Sequence, residues 1–279
     1  IINNHGIMVG FRGATRDISN QVKNEQHIQQ LAYFDELTHL PNRTSLIRDK
    51  NDLLQSERFA VLFVDLDHFK SINDTLGHHI GDQLLVIVVQ RIIESIKNKG
   101  KVYRFGGDEF IIIIPDFGNI EEVISRTEHV LASIQDPISI NETSFFTTFS
   151  IGISLYPKHS TSLETLIKYA DMAMYKSKQN GKNQYTLYLD NMNSEVTETF
   201  EISHLLNEAI QEYQFELHYQ PQVYIPTGKI IGVEALIRWN HPTKGLISPA
   251  KFIPIAEESG LIIKLGDCIL RNACQTRKK

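Results

Sequence analysis

Residues 103–115 have the sequence YRFGGDEFIIIIP, which predicts a tight β-hairpin with two acidic residues at its tip. The residues before the glycine pair alternate in character, and an apolar strand follows it. Gly106 and Gly107 offer the positive-φ freedom that a tight turn between antiparallel strands requires. We therefore expect Asp108 and Glu109 to project from a rigid turn.

A second acidic site lies upstream, where residues 59–64 form a predicted buried strand that ends at Asp65, Leu66 and Asp67. Magnesium prefers oxygen ligands and is usually held by one or two protein carboxylates together with nucleotide phosphates. Two strand ends that carry carboxylates therefore suggest a metal site, with Asp65 and Asp108 as the proposed pair. The alternative is that these acids only solvate turns and cap helices.

The composition is that of an ordinary globular protein. The 279 residues, 42% of them hydrophobic and 22% charged, give room for one domain and part of another. The 28 basic and 33 acidic residues give a net charge of −5, which provides no general attraction to nucleic acid or to anionic lipid. Any phosphate binding must therefore be local.

The apolar runs are far shorter than the roughly 18 residues that span a bilayer, and no signal peptide opens the chain. We expect no membrane contact by this segment and a cytoplasmic location, although the parent protein could be membrane-anchored upstream. Cys268 and Cys274 are six positions apart on a predicted helix and face different directions, so we expect both to be reduced core residues.

Five ordered blocks between residues 34 and 185 resemble the GGDEF family of diguanylate cyclases. The blocks are FDELTHLPNR (34–43), LFVDLDHFKSINDTLGHHIGDQLL (62–85), YRFGGDEFIIIIP (103–115), FSIGISLYP (149–157) and ADMAMYKSKQNGKNQY (170–185). An ordered series is far more specific than a single pentapeptide. The resemblance assigns residues 35–190 to a GGDEF domain.

Changes in periodicity across this domain predict the order helix, strand, helix, hairpin, helix, strand, helix, strand. The predicted spans are a strand at 59–64, helices at 83–97, 121–135 and 163–178, and a strand at 145–155. The resemblance implies an α+β fold of the ferredoxin-like type, in which helices flank a mainly antiparallel central sheet.

Residues 1–20 contain an alternating segment with glycine punctuation, which predicts a strand without a local partner. The segment resembles the last strand of a PAS sensor domain, so we expect a truncated PAS-like tail here. Residues 21–34 would then form a connecting helix. Its thin apolar stripe is compatible both with a coiled coil and with a solvated linker.

Residues 195–279 resemble the start of an EAL phosphodiesterase domain, which is an α/β barrel. Because a barrel of the TIM type takes about 250 residues, we expect a partial barrel segment that is loosely ordered, or ordered only by packing on its neighbour. The resemblance makes Glu234 a metal ligand and Arg238 a phosphate contact. The other acidic ligands would lie beyond Lys279, so we expect no hydrolysis of cyclic di-GMP by this chain.

The GGDEF resemblance implies a reaction that joins two GTP molecules into cyclic di-GMP, in a homodimer whose two half-sites face each other. In the family, the positions of Asp65, the Leu66 carbonyl and Asp108 hold Mg²⁺ or Mn²⁺ against the phosphates. Glu109 is then the candidate for activating the attacking hydroxyl or for supporting a second metal ion. For Asp67 we expect a structural role, as the cap of the short helix that begins within HFKSIND.

The resemblance also implies substrate contacts. Asn73 and Asp82 would recognise guanine, whose N1 and N2 donors a carboxylate can accept together; a helix cap is the alternative for Asp82. Lys178 and Lys182, which we expect on one helical face, would bind the triphosphate, although the helix dipole alone also favours cations there. The family commonly has arginine at the second position, so lysine loses the bidentate fork. The remaining predicted contacts are Lys70, Phe69, Gly106 and Gly107.

The chain departs from the family at the inhibitory product site. Many members carry Arg-x-x-Asp just before the hairpin, whereas residues 97–100 here are KNKG, so we expect weak or missing product inhibition. Two other functions stay open. One is a non-catalytic GTP-binding regulator of an EAL phosphodiesterase, and the other is a structural connector between an upstream sensor and a downstream effector.

Overall fold

The structure is a computed structural model that describes residues 4–8, 19–97, 99–141, 143–212 and 214–276. The chain divides into two compact units, Ile1–Leu187 and Tyr188–Lys279. The predicted PAS-like tail at 1–20 lies largely outside the described residues, so it stays a prediction.

The first unit combines helices with a central five-stranded sheet and a separate two-stranded one. The helices are α1 (Ser19–Tyr33), α2 (Arg43–Leu53), α3 (Phe69–Leu76), α4 (His78–Ile96), α5 (Ile120–Ala132) and α6 (Leu163–Gln179). The strands are β1 (Phe59–Leu66), β2 (Lys101–Gly106), β3 (Glu109–Pro115), β4 (Ile138–Ile140), β5 (Thr143–Phe145), β6 (Phe149–Tyr156) and β7 (Gln184–Leu187).

The central sheet has the strand order β2-β3-β1-β6-β7. Its first three pairs are antiparallel and the last pair, β6 with β7, is parallel. The predicted α+β fold, with a mainly antiparallel sheet flanked by helices, is confirmed. β1 lies in the middle and is buried along its whole length, which explains why residues 59–64 are an unbroken apolar run.

The two faces of the sheet carry separate cores. Alternate residues of β1 point to opposite faces. Leu62 and Val64 join the cluster that includes the apolar residues of α4 and α5, whereas Val61 and Phe63 join the cluster that includes those of α6. Asp65 continues the second series and is therefore directed to the face covered by α6.

Some predicted boundaries were wrong. The helix predicted at 83–97 begins earlier, at His78, because only Gly77, with φ +87°, separates it from α3. The strand predicted at 145–155 begins at Phe149. Phe145, the first residue of the predicted strand, instead ends β5, which pairs with β4 in a short separate hairpin that the pattern did not predict.

The second unit has its own sheet and core. It contains α7 (Met192–Gln211), β8 (Phe215–Tyr224), β9 (Lys229–His241), β10 (Gly245–Ile247), α8 (Pro249–Glu258) and α9 (Ile262–Thr276). Trp239 is fully buried and packs with Phe215 and Phe252. These aromatic side chains give the unit a hydrophobic core of its own, and the expected loose order stays a prediction.

The strand pairs described in this unit, β10 with β9 and β9 with β8, are antiparallel. The partial barrel therefore stays a prediction. Several apolar side chains on β8 and β9 are exposed, including Val223, Ile230 and Ile231. Among the described residues, neither Cys268 nor Cys274 takes part in a disulfide; Cys268 is half-buried, but Cys274 is exposed, so the prediction of a core position for Cys274 was wrong. None of the helices that the structure describes is long and apolar enough to cross a membrane.

Candidate functional site

The acidic hairpin has the predicted rigid tip. Gly107 and Asp108 form the turn between β2 and β3, and Gly107 has φ +51°. Arg104 donates from Nε and Nη2 to the Gly107 carbonyl oxygen, at 3.1 and 2.8 Å, and from Nη1 to Asp35 Oδ1 at 2.7 Å. Gly106 lies at a register shift instead, so only one of the two predicted positive φ angles is found.

The two predicted acidic sites meet at one edge of the sheet. In the pairing of β1 with β3, Asp65 lies opposite Glu109. The Leu66 amide donates to the Asp108 carbonyl oxygen at 3.3 Å. Because paired residues of adjacent strands direct their side chains to the same face, the Asp65 and Glu109 carboxylates both lie on the side of α6.

Lys178 of α6 reaches this acidic edge. The buried stripe of α6, which includes Ala170 and Met174, packs on the sheet, and Lys178 follows one turn later. Lys178 Nζ lies 2.7 Å from Asp65 Oδ1. The Asp65 side chain is only 8% exposed and that of Lys178 30%, so this is a partly buried ion pair.

Burial and crowding raise the pKa of Asp65 and of Glu109 at this edge. Burial is the main cause that raises the pKa of Asp65, with a contribution from the Asp108 charge, while Lys178 opposes the rise. Burial also raises the pKa of Glu109, and the charges of Asp171, Asp65 and Asp108 add to the effect. A site in which carboxylates repel one another favours a bound cation.

Asp171 belongs to this edge, although the sequence analysis missed it. Burial raises its pKa and the Lys178 charge lowers it. Asp171 and Lys178 are seven positions apart on α6, close to two full turns, so they lie on one helical face. This spacing in the sequence could have identified Asp171 as a neighbour of Lys178.

Asp67 has a structural role, as predicted, but it does not cap α3. The residue is 1% exposed. Its carboxylate accepts from Thr148 Oγ1 at 2.6 Å, from Ser150 Oγ at 2.7 Å and from the Asn183 amide at 3.3 Å. The N-cap of α3 is His68, with φ +64° and no capping bond from its side chain. Asp67 therefore joins the end of β1 to segments far away in sequence.

Lys178 and Lys182 do not share a helical face as predicted. α6 ends at Gln179, and Lys182 follows in the left-handed region with φ +62°. Lys182 Nζ lies 3.4 Å from Nε2 of His68, and His68 also has a positive φ. Non-glycine residues with positive φ are uncommon and tend to cluster at functional sites.

The predicted base contacts lie on α3 and α4, which follow β1 directly. Asn73 is half-buried on α3, and among the described residues its Oδ1 is the buried side-chain atom left without a hydrogen-bond partner. Asp82 is exposed in the first half of α4, whose N-cap is Gly77, so the capping alternative for Asp82 was wrong. Phe69 is buried and Lys70 exposed at the start of α3.

The donor atoms at the sheet edge are of the type that binds a divalent cation. The carboxylates of Asp65 and Asp108 and the Leu66 carbonyl are oxygen donors, the type that Mg²⁺ and Mn²⁺ prefer. Within the described parts of the chain, no three His, Cys, Asp or Glu side chains are grouped so as to hold a metal ion by themselves. An ion here would therefore need further oxygen ligands, which nucleotide phosphates can supply.

The two predicted positions of the second unit lie on β9. Glu234 is exposed and pairs in register with Gln220. Arg238 is half-buried and donates to the Ile237 carbonyl oxygen at 2.8 Å. Their separation of four residues places both on one face of the strand.

Comparison with known families matches both units. The family model described as "Diguanylate cyclase, GGDEF domain" matches residues 32–184, more than half of the chain. The model of the EAL domain matches residues 204–279. A GGDEF domain is thus followed in the same chain by part of an EAL domain.

Curated relatives are similar over most of this chain. It is 41% identical over 251 residues to the bifunctional diguanylate cyclase/cyclic di-GMP phosphodiesterase MucR of Pseudomonas aeruginosa, covering 88% of this chain and 36% of MucR. It is 38% identical over 253 residues to the cyclic di-GMP phosphodiesterase NbdA of the same organism, covering 89% and 32%. The chain therefore spans about a third of the length of these relatives.

Solved structures are similar to the first unit. A form of YfiN (TpbB) from Pseudomonas aeruginosa that comprises only the GGDEF domain has a TM-score of 0.55 and 35% identity, and the match covers 59% of this chain and 99% of that one. The coiled coil and GGDEF domain of DgcB from Caulobacter crescentus, in complex with c-di-GMP, has a TM-score of 0.55, 26% identity and coverage of 61% and 93%.

Proposed function

The chain belongs to the GGDEF domain family, and from this premise we propose that it is a diguanylate cyclase. It would condense two GTP molecules into cyclic di-GMP and release two pyrophosphates. The observation that carries the proposal is the meeting of Asp65, Asp108 and Glu109 at one sheet edge, where burial and mutual repulsion raise the pKa of Asp65 and of Glu109.

In the proposed reaction, the 3′ hydroxyl of each GTP attacks the α-phosphate of the other. The new bond joins the 3′ oxygen to phosphorus, the bond to pyrophosphate breaks, and the hydroxyl proton leaves to a base. Glu109 is the proposed base, because a carboxylate with a raised pKa is the better proton acceptor. Asp65, Asp108 and the Leu66 carbonyl would hold Mg²⁺ or Mn²⁺, which would neutralise charge on the phosphates.

The basic residues at the edge would hold the triphosphate. Lys178 and Lys182 lie on either side of the segment that ends α6, and their partners here are Asp65 and His68. We propose that Lys178 leaves Asp65 when a nucleotide binds, because phosphate oxygens compete for the ammonium group. Its departure frees Asp65 for the metal ion, so binding of metal and nucleotide would support each other.

Guanine would bind against α3 and α4. Asn73 Oδ1 is a buried acceptor without a partner, and leaving such an atom unpaired is unfavourable. The amide would turn away from Gly81 to meet the guanine edge, whereas the exposed carboxylate of Asp82 could accept from N1 and N2 together. Adenine presents a ring acceptor where guanine presents the N1 donor, so the same pair of residues would reject ATP.

One subunit would carry one half-site, so the proposed active form is a homodimer. The test is to incubate the purified chain with GTP and Mg²⁺ over a wide range of protein concentrations. We expect cyclic di-GMP and pyrophosphate in a ratio of one to two, with specific activity that rises with protein concentration. Absence of cyclic di-GMP at every concentration would reject the proposal.

The second candidate is a GTP-binding regulator of a cyclic di-GMP phosphodiesterase. It is favoured by the EAL segment that follows the GGDEF domain and by the similarity to NbdA, which is named as a phosphodiesterase. GTP binding without turnover, together with cleavage of cyclic di-GMP by a protein that carries the whole EAL domain, would support this candidate. A structural connector would not bind GTP at all.

A further inference from the structure

The backbone of α6 lies directly against β6. A Cβ atom at Gly152 of β6 would lie 1.9 Å from the Ala170 carbonyl oxygen and 2.2 Å from the Met174 amide nitrogen, which are both backbone atoms of α6. Because these distances are far shorter than any Cβ contact allows, only glycine permits this approach. The helix and the strand are therefore close enough for a short side chain to join them.

Two buried serines make that connection at different points along the helix. Ser154 of β6 donates from Oγ to the Leu166 carbonyl oxygen of α6 at 2.7 Å. Ser177 of α6 donates from Oγ to the Ile151 carbonyl oxygen of β6 at 2.8 Å. The carbonyl oxygen of Ala173, in the preceding turn of the same helix, is farther from Ser177 Oγ, at 3.4 Å. Both serines are 0% exposed, so these bonds are screened from water.

Ser177 also holds the segment that follows the helix. Its hydroxyl group lies 2.7 Å from Thr186 Oγ1 of β7. Its carbonyl oxygen accepts from the Lys182 amide and from Gln184 Nε2, each at 3.0 Å. Lys182 and Asn183 have φ of +62° and +47°, a conformation that is unfavourable for residues with a side chain. The segment therefore needs such contacts to keep its shape.

The two basic residues that we propose as triphosphate contacts are attached to this point. Lys178 is the next residue after Ser177, and the Lys182 amide is bonded to Ser177. The carbonyl group that accepts from the Ser177 hydroxyl belongs to the residue after Ser150, and Ser150 pairs with Asp65 of β1. A shift of the end of α6 along β6 would thus move Lys178 relative to Asp65.

We propose that Ser177 is a positioning residue for triphosphate binding, whose hydroxyl group holds the end of α6 on the sheet and so fixes Lys178 and Lys182 beside the acidic edge. The inference rests on the proposed function, because it takes the two lysines as contacts of the nucleotide phosphates. It adds that their placement depends on a hydroxyl group too buried to touch the nucleotide. Ser154 makes the same kind of bond about three helical turns before Lys178, so it provides a matched control.

Amide hydrogen exchange, followed by NMR, tests the geometry without any nucleotide. In Ser177→Ala we expect the amides of Gly181 and Lys182 to exchange about threefold faster or more, because the segment after α6 loses its attachment to the sheet. In Ser154→Ala these two amides should exchange as in the wild type. Unchanged exchange in Ser177→Ala, or equal acceleration in both variants, would overturn the inference.

Nucleotide affinity tests the role in binding. Both serine variants remove buried hydrogen bonds, so both should lower the midpoint of urea unfolding. By calorimetry with Mg²⁺ and a non-hydrolysable GTP analogue, Ser177→Ala should lower the affinity about fivefold, whereas Ser154→Ala should leave it within about twofold of the wild type. In a Lys182→Met background the loss from Ser177→Ala should be smaller, because one of the residues that it positions is already gone.

Equal losses of affinity in the two serine variants would overturn the inference, since a general loss of stability would then explain both. An unchanged affinity in Ser177→Ala, or an undiminished loss in the Lys182→Met background, would overturn it as well. If the wild-type chain does not bind the GTP analogue, the proposed function itself fails. Hydrogen exchange would still decide whether Ser177 holds the end of the helix, so the two failures are distinguishable.

Discussion

Asp65 and Asp67 stand two residues apart at the end of β1, yet their carboxylates have opposite surroundings. Asp67 accepts hydrogen bonds from two hydroxyl groups and one backbone amide. Asp65 is held by one flexible lysine and is repelled by the neighbouring charge of Asp108. Both residues are buried, so burial alone does not distinguish a structural acid from a functional one.

The difference lies in whether the partners can be exchanged. The hydroxyl and amide donors to Asp67 belong to β6 and to the segments beside the sheet, and they cannot leave without unfolding it. The ammonium group of Lys178 is part of a long side chain and can move to another anion. An acid such as Asp65, whose partner can move to another anion, is therefore available to bind a ligand.

The largest effect is expected for Asp67→Ala. The substitution removes three hydrogen bonds and leaves two buried hydroxyl groups and a backbone amide without an acceptor, so we expect a loss of roughly 3 kcal/mol in the free energy of unfolding. Urea denaturation measures it. Asp52→Ala, at an exposed position of α2, is the matched control and should change stability by about 0.5 kcal/mol or less. A similarly small change for Asp67→Ala would erase the contrast with Asp65.

Asp65→Asn should show the reverse pattern. The amide keeps the shape of the side chain but loses the charge, so turnover of GTP should fall roughly a hundredfold or more. Stability should change by about 1 kcal/mol or less, because the partly exposed Lys178 can move into solvent. Product formation and urea denaturation of the same preparation decide the matter. A severely destabilised but active variant would contradict the account.

Lys178 and Lys182 sharpen the comparison, since only the first is bound to an acid of the metal site. We expect Lys178→Met and Lys182→Met each to lower the affinity for GTP about tenfold, because each removes a positive charge that would bind the triphosphate. Lys178→Met should also strengthen binding of Mn²⁺ alone, because Asp65 loses the cation that competes for it. Lys182→Met should leave Mn²⁺ binding unchanged.

Electron paramagnetic resonance measures free Mn²⁺ directly and does not depend on turnover. Equal effects of the two substitutions on Mn²⁺ binding would show that the contact between Lys178 and Asp65 has no part in binding the metal.

The smallest effect is on the pH dependence of stability. The pKa of Asp65 is raised from 3.8 by burial, so the folded protein holds this proton more strongly than the unfolded chain does. Its contribution to stability therefore falls as pH rises from about 3.8 through the folded-state pKa. Asp49 is the contrast: burial would raise its pKa, but hydrogen bonds from Lys101 and Tyr103 lower it further than burial raises it. Its contribution is instead lost as pH falls below 3.8.

Urea denaturation over a pH series, in buffer with a metal chelator, compares each Asp→Asn variant with the wild type. The stability difference should fall with rising pH for Asp65 and rise with it for Asp49. Slopes of the same sign for both positions would mean that Asp65 is an ordinary paired acid.

The sequence predicted most of the fold because its signals are local. An unbroken apolar run gave β1, and a glycine pair between strands gave the hairpin. The partners of Asp67 could not be predicted, since Thr148, Ser150 and Asn183 are distant in the chain and reach Asp67 only after the sheet has formed. Lys178 was identified, but its contact with Asp65 depends on how α6 packs on the sheet. The contact of the Asn73 side chain with Gly81 likewise depends on how α3 packs on α4.

The most direct test of the central claim is an anomalous difference map from crystals grown with Mn²⁺ and a non-hydrolysable GTP analogue. The account predicts a manganese peak about 2.2 Å from carboxylate oxygens of both Asp65 and Asp108, next to the phosphates, with Lys178 Nζ moved from Asp65 to a phosphate oxygen. A manganese peak that contacts only one of these two carboxylates would contradict it. So would a bound nucleotide with no manganese between its phosphates and these carboxylates.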